Sequence, residues 1–538
     1  MTSIEIPIGK RTKLYRFFEI LPAFLSYGSI VLLLVLSILK PFVAAIYLLL
    51  IITTIFIKSV AVAIRTIQGY NRLQSAQKVN WQSRLDDMNY LQQEGNLPDR
   101  HDNQWCNTKH KKLLEEMHNL PADYPRVSNI YNAVIIATYN ETIETLRPTI
   151  DAVANTTFPN ERIILVIAYE ERGGEAIKNT VEILKKEFSD KFFHFQLVMH
   201  PKDLPNEVPG KGGNITYAGK YLAEWVDEKG IHEDDVVITT LDSDNRPHKE
   251  YFSYVTYEYV RNPYRLHLSF QPISLFLNNI WDAPAPMRVI ATGNSFWNII
   301  SSMRPHMLRN FASHSQGLAA LKGMDFWSVR TIVEDGHQFW RSFFFFEGKY
   351  RVVPIYVPIY QDAVLSKTYR HTIVAQFKQV RRWAYGASDI PYVAVRIFNK
   401  HRRVPFWSGL TYFARLLDSH VSWACIPLLV AFGGWLPLLL NQDSSRNIVV
   451  HELPEFISII QRIAMFGILV SVFLAFKMLP KRPKRYKRHR NVFMVIQWFL
   501  MPLTSIIFGA LAAFNAQTHL ALGKYLDTFD VTDKSVKK

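Results

Sequence analysis

Asp242 and Asp244 close an apolar run in the sequence VVITTLDSDN, residues 236–245. On an extended backbone, carboxylates at i and i+2 point to the same side. Left alone they repel, and a hard divalent cation with oxygen ligands removes that penalty. A solvated turn is the ordinary fate of a lone Asp-X-Asp, so the other polar groups of the chain decide the matter. Thr138, Tyr139, Asn140 and Glu141 close the apolar run 132–138, where they serve as a plain helix cap or as neighbours of a nucleotide. Glu170 and Glu171 follow the run 162–169; a carboxylate there sits in a solvated turn or accepts a hydrogen bond from a nucleobase N–H or a ribose hydroxyl. Lys211 lies in the Gly-rich stretch 209–214, which opens a helix and lets backbone N–H groups and an ammonium approach phosphates. Its spacing is not that of a P-loop. Glu334 and Asp335 form an acidic pair, and Asp335 becomes a general base only where the fold sets it opposite a metal site. Gln379, Arg382 and Trp383 are spaced i, i+3 and i+4 and share one helix face. That face is either a membrane-interface anchor or a cation and an aromatic plate for a substrate.

The elements that position these groups alternate. Strands are expected at 132–138, 162–169, 195–199 and 236–241, and helices at 141–154, 174–188 and 214–225. Such alternation gives an α/β domain with a mostly parallel sheet, whose ligands bind outside the carboxyl ends of the strands. The polar groups above mostly fall at those ends. A polar, helix-favouring linker precedes them at 74–127.

Apolar residues make up 49% of the 538, and they are unevenly placed. Runs at 20–39 and 42–64 are split by Lys40-Pro41, and each approaches the roughly 20 residues needed to cross a bilayer. With no small-residue cleavage site after the first, they read as a retained hairpin. Further runs lie at 406–440, 456–479 and 492–514. The net charge of +16 is concentrated beside these runs, at Lys10 to Arg16, at Arg65 and Arg72, and in the stretch KRPKRYKRHR at 481–490. Positive charge flanking apolar helices is the positive-inside pattern, which favours membrane lipids and phosphorylated substrates over nucleic acid as partners. A multi-pass protein of the plasma or inner membrane with a cytoplasmic catalytic domain is expected. Cys106 and Cys425 are the only cysteines, too few for a disulfide framework or a thiolate metal site.

In order and spacing, Thr138 to Glu141, Glu170/Glu171, Lys211, Asp242 and Asp244, Glu334-Asp335 and the QxxRW of Gln379, Arg382 and Trp383 resemble the motifs of family 2 glycosyltransferases. The flanking apolar runs, and an FxVTxK at Phe529, Val531, Thr532 and Lys534, narrow the resemblance to the membrane-embedded cellulose-synthase-like and hyaluronan-synthase-like branch. It implies a GT-A (Rossmann-like) domain at 128–372 between a transmembrane hairpin (1–70), a helical linker (71–127), interfacial helices (373–405), a transmembrane region (406–520) and a gating tail (521–538). It implies a nucleotide sugar, with UDP the expected nucleotide, held through Mg2+ or Mn2+ at Asp242 and Asp244. Glu170 or Glu171 would meet the uracil, Lys211 the diphosphate, Asp335 the acceptor proton, Arg382 the leaving group and Trp383 the acceptor sugar. One base without a carboxylate nucleophile implies a single displacement with inversion. The product would be a β-linked polysaccharide, with export coupled to synthesis; transfer of one sugar to a lipid-linked acceptor and a catalytically silent assembly subunit are the alternatives.

The sequence departs from that pattern at Val333, where a small polar residue is usual, and at Glu170/Glu171, where an Asp pair is commoner. The stretch 270–288 matches no sugar-specific pattern. One conflict stands: the basic loop at 481–490 and the tail both belong inside, yet a single crossing at 492–514 separates them. Either that run turns back at Pro502, or 511–526 adds a second leg, or the tail motif is misread.

Overall fold

The computed structural model describes residues 4–99, 104–441 and 447–527. The FxVTxK residues Phe529, Thr532 and Lys534 lie outside them.

Four parallel strands form one half of an eight-stranded sheet: β1 (Tyr131–Thr138), β2 (Ile163–Glu170), β3 (His194–His200) and β4 (Val236–Asp242). The other half contains β5 (Arg246–Pro247), β6 (Leu268–Leu275), β7 (Ser315–Gly317) and β8 (Arg351–Tyr360), in the order β3-β2-β1-β4-β7-β6-β8-β5. β7 runs antiparallel to β4 and β6, whereas β6 and β8 pair in parallel. β1, β2 and β4 form because their residues are mostly apolar on both faces, as a sheet covered by helices requires. Val134 and Ile136 of β1 point into one core, and Ala133 and Ile135 into another, where they meet Ile215, Ala218 and Leu222 of the helix Lys211–Glu228. Register then fixes the site. Thr138 lies opposite Tyr169, and Ala137 opposite Asp242, so the carboxyl ends of β1, β2 and β4 finish side by side.

The 74–127 linker holds two helices, Trp81–Glu94 and Asn107–Asn119. Trp81 stacks on Tyr254 at 3.6 Å between ring centroids, which pins the linker to the sheet's helical layer. Among the described residues, four helices are long and apolar enough to cross a membrane: Lys13–Leu39, Pro41–Ala76, Phe406–Leu440 and Arg490–Ala521. The run expected at 456–479 forms the helix Leu453–Met478, packed on Pro41–Ala76.

The helical stretch Arg490–Ala521, which contains the run expected at 492–514, is bonded to other elements at both ends. At its start, Arg490 Nη2 donates to the Trp281 carbonyl at 3.0 Å. At its end, Arg16 donates to the carbonyls of Leu520 and Ala521 at 3.1 and 2.7 Å, and Leu526 N donates to Tyr385 Oη at 3.3 Å. Its middle packs on the helices Ala285–Ser302 and Tyr369–Ala384. One end is thus tied to the segment after β6, and the other to the start of the helix Lys13–Leu39 and to Tyr385.

Candidate active site

A cavity of about 740 Å³ opens at the joined ends of β1, β2 and β4. Asp242 ends β4, and a turn follows because Asn245 Oδ1 accepts from Asp242 N at 2.9 Å while Asn245 N donates to Asp242 O at 3.0 Å. That turn lets Asp242 face the cavity and buries Asp244. The Asp244 carboxylate accepts from Asp362 N at 2.9 Å and from Asn245 Nδ2 at 3.3 Å.

Lys211 is the hub. Its ammonium lies 2.9 Å from Asp242 Oδ1, 3.3 Å from both Asp335 oxygens and 3.9 Å from Glu334 Oε1. Burial alone would lower its pKa, but the three carboxylates outweigh burial and hold it well above the ordinary lysine value. Glu334 is 3% exposed, and its pKa is raised by burial and by Asp335 against the opposing pull of Lys211 and Arg382. Close packing sets this arrangement: a Cβ on Gly212 would come within 2.4 Å of the Ser328 carbonyl oxygen. Only a glycine lets the start of the helix Lys211–Glu228 reach the acidic first turn of the helix Glu334–Phe345.

At the other side of the sheet ends, Glu170 is buried, and burial raises its pKa although the Arg172 guanidinium bonded to it pulls the other way. Arg172 lies 5.2 Å from the Tyr139 ring centroid. Tyr139, Glu170 and Arg172 form a slot with an aromatic face and a hydrogen-bonding edge. Thr138 also lines the cavity. Glu141 borders it, but Glu141 Oε2 is taken by Thr138 Oγ1 at 2.7 Å and by the N–H groups of Tyr139 and Asn140 at 2.7 and 3.2 Å. Its observed work is to fix the turn. Asn140 is exposed and does not line the cavity. Glu171 faces away and accepts from Lys202 N at 3.0 Å, so of the two glutamates only Glu170 reaches the cavity.

Gln379, Arg382 and Trp383 of the helix Tyr369–Ala384 form another wall, with the Trp383 ring 6.2 Å from that of Phe276. Beyond them the cavity continues between helices. There Trp297, Asn298, Arg309, His420 and Trp423 line it, none of them singled out by the sequence motifs. Asn214 also went unrecognised, although it lies in the Gly-rich stretch. Its Nδ2 donates to the Ala168 and Thr138 carbonyls at 2.9 and 3.3 Å and ties β2 to β1.

The donor set suits a divalent cation on one ground. Positive charge is already drawn into this place, since an ammonium sits among three carboxylates. Among the described residues no three His, Cys, Asp or Glu side chains form a metal cage. Asp242 and Asp244 are the carboxylates that would hold a cation together with substrate phosphates.

No family model matches the sequence, and no curated protein does. Among solved structures, the fold is similar to the mannosyltransferase PcManGT from Pyrobaculum calidifontis, in complex with GDP-Man and Mn2+. Identity is 12%, the match covers 88% of this chain and 99% of that one, and the TM-score is 0.37. S. aureus TarS 1-349 in complex with UDP matches at 11% identity over 74% of this chain and 93% of that one, with a TM-score of 0.32. Glucosyl-3-phosphoglycerate synthase from Mycobacterium tuberculosis, in complex with Mn2+, UDP and phosphoglyceric acid, matches at 12% over 45% and 73%, with a TM-score of 0.28. Likenesses this distant decide neither substrate nor chemistry, which rest on this chain's own residues.

Proposed function

We propose that the protein is a membrane-integrated, inverting glycosyltransferase of GT-A type that transfers a sugar from a nucleotide donor, a UDP-sugar, to a growing β-linked polysaccharide. The observation that carries this is the convergence on Lys211 of Asp242, Glu334 and Asp335, in one cavity with Glu170 at one end and Arg382 and Trp383 at another.

The nucleobase lies in the Tyr139, Glu170 and Arg172 slot. The diphosphate lies over Asp242 and Asp244, where Lys211 and Arg382 face its charge. A divalent cation, Mg2+ or Mn2+, held by Asp242 and Asp244 supplies further positive charge against the diphosphate. Asp335 takes the proton of the acceptor hydroxyl as its oxygen attacks the anomeric carbon. The bond from that carbon to the diphosphate oxygen breaks on the opposite face, so the configuration inverts. A positioned base is worth about 10²–10⁴-fold in rate, and cations aimed at the departing oxygens stabilise charge as it develops. When the diphosphate engages Lys211, the ammonium loosens its hold on Asp335, which couples donor binding to release of the base.

The continuation of the cavity to His420 and Trp423, on a helix long enough to span a bilayer, supports a polymer acceptor and coupled export. The basic loop at 481–490 and both ends of Arg490–Ala521 belong on the cytoplasmic side with the sheet. The test is incubation of the purified protein with a panel of labelled nucleotide sugars, with and without chelator, followed by sizing of the product. A chelator-sensitive β-linked polymer is expected. A product of a single addition to lipid would replace the polymerase reading with the lipid-acceptor one, and no transfer from any donor would sink both.

A further inference from the structure

The basic stretch at 481–490, seven of whose ten residues are Lys or Arg, takes no part in the transfer chemistry. It leads into a second cleft of about 510 Å³ between the helix Ala285–Ser302 and the start of Arg490–Ala521, and this cleft shares no lining residue with the active-site cavity. Arg288 and Arg490 line it, and no acidic side chain does. Arg288 is 4% exposed; its Nε donates to Gln497 Oε1 at 2.5 Å and its Nη1 to the Ala283 carbonyl at 2.7 Å. Neither acceptor carries a charge. Burial and the neighbouring Arg490 lower the Arg288 pKa to about 10, as expected for a cation without a counter-ion. Arg490 Nε is itself buried without a hydrogen-bond partner among the described residues. The local carboxylate, Asp282, is already engaged by Arg485 at 2.7 Å and by the Tyr486 hydroxyl at 2.5 Å. The remaining wall is apolar and open, with Phe493, Ile496 and Phe499 exposed by 54%, 50% and 79%.

Two guanidiniums lacking an anion beside open aromatic and aliphatic side chains match an amphiphile with a negative head. We propose that this cleft binds an anionic phospholipid, with its phosphodiester between Arg288 and Arg490 and its acyl chains along Phe493, Ile496 and Phe499. A free phosphate would leave those apolar side chains in water. A choline headgroup would bring a cation next to Lys481, Lys484, Lys487 and Arg488, which are exposed on the same loop.

The site is separate from the transfer chemistry and is tested separately. Full-length protein is reconstituted in nanodiscs of equimolar phosphatidylcholine and phosphatidylglycerol, and the retained lipid is read by native mass spectrometry. The wild type is expected to retain phosphatidylglycerol preferentially. R490Q should lower that retention about five-fold, the equivalent of roughly 1 kcal/mol for one basic residue at a membrane surface. F499S, at an exposed position that changes no charge, should lower it as well and guards against misfolding of the arginine variant. Equal retention of the two lipids, or an unchanged R490Q, would overturn the site. So would a K484Q/K487Q/R488Q variant that loses as much as R490Q, because the binding would then be a diffuse field. Displacement of the lipid by an equal concentration of inorganic phosphate would overturn it in favour of a free-anion site. An inactive enzyme that still retains the lipid leaves this proposal intact, and a failure here leaves the transfer reaction standing.

Discussion

At the sheet end of the cavity, ionisable groups neutralise one another at hydrogen-bond distance around Lys211. At the helix end, amides and aromatic rings dominate, as at Asn298, Trp297 and Trp423, with Arg309 and Asp389 the charged exceptions. Even that acid is engaged, since Asp389 Oδ1 bonds His337 Nδ1 at 2.6 Å. On the proposed function, the sheet end exchanges internal ion pairs for a polyanionic donor, which costs little reorganisation because the charges are already placed. The helix end offers stacking and hydrogen bonds without a strong ionic grip, as the proposed polymer acceptor would need in order to move on after each addition.

The sharpest way to break this division is Asp335→Asn, which keeps shape and removes the proposed base. The transfer rate should fall by about 10²–10⁴-fold while nucleotide-sugar binding, measured by calorimetry, stays within a few-fold. Equal losses in binding and rate would mean that Asp335 holds the donor instead. Lys211→Met comes next. It strips the shared cation from the buried Glu334 and the part-exposed Asp242 and Asp335, and because solvent screens the last two the cost falls below the roughly 3–5 kcal/mol of a broken, fully buried ion pair. A thermal melt should show that loss even without donor; an unchanged melting temperature would mean that solvent reaches the cluster and screens it. Trp423→Ala probes the helix end, and there the expected effect is about ten-fold on the acceptor KM, or roughly 1.4 kcal/mol of lost contact, with the donor KM unchanged. A shift in the donor KM would show that the two ends do not act separately.

The same contrast explains what could be read from the sequence. β1, β2 and β4 were legible because uninterrupted apolar runs end abruptly in polar residues, and their bounds came out within a residue of those expected. The types of Lys211, Asp242 and Asp335 announced charge chemistry, but the central place of Lys211 depends on packing at Gly212, which no local pattern records. Glu141 was legible in principle: a carboxylate three residues after Thr138 can take the free donors of its own turn. β6 and β8 were hidden because Pro272, Pro354 and Pro358 lie within them, and proline argues against a paired strand. Those strands pair regardless, with a register shift between Pro272 and Ile273. His420 and Trp423 are isolated positions in an apolar helix and acquire meaning only where that helix borders the cavity.

The last prediction, read on stability alone with no effect on activity claimed, concerns Glu334 and tests how charge is counted at the sheet end. Its folded-state pKa is raised above the ordinary value of 4.5 by burial and by Asp335. Below pH 4.5 the folded and unfolded chains both hold the proton, and it contributes no pH dependence. As the pH rises from there towards the raised value, the unfolded chain releases the proton while the folded chain keeps it, so stability falls with pH at up to about 1.4 kcal/mol per unit. Above the raised value both forms are ionised and the loss levels off. Glu334→Gln keeps the shape of the neutral acid and has no proton to release. Its melting temperature should therefore track that of the wild type in acid and climb above it through this window. Parallel melting curves across the whole range would mean that Glu334 is already ionised, held by Lys211 and Arg382. The sheet end would then carry one more negative charge before donor binds, and its demand for a cation would be correspondingly greater.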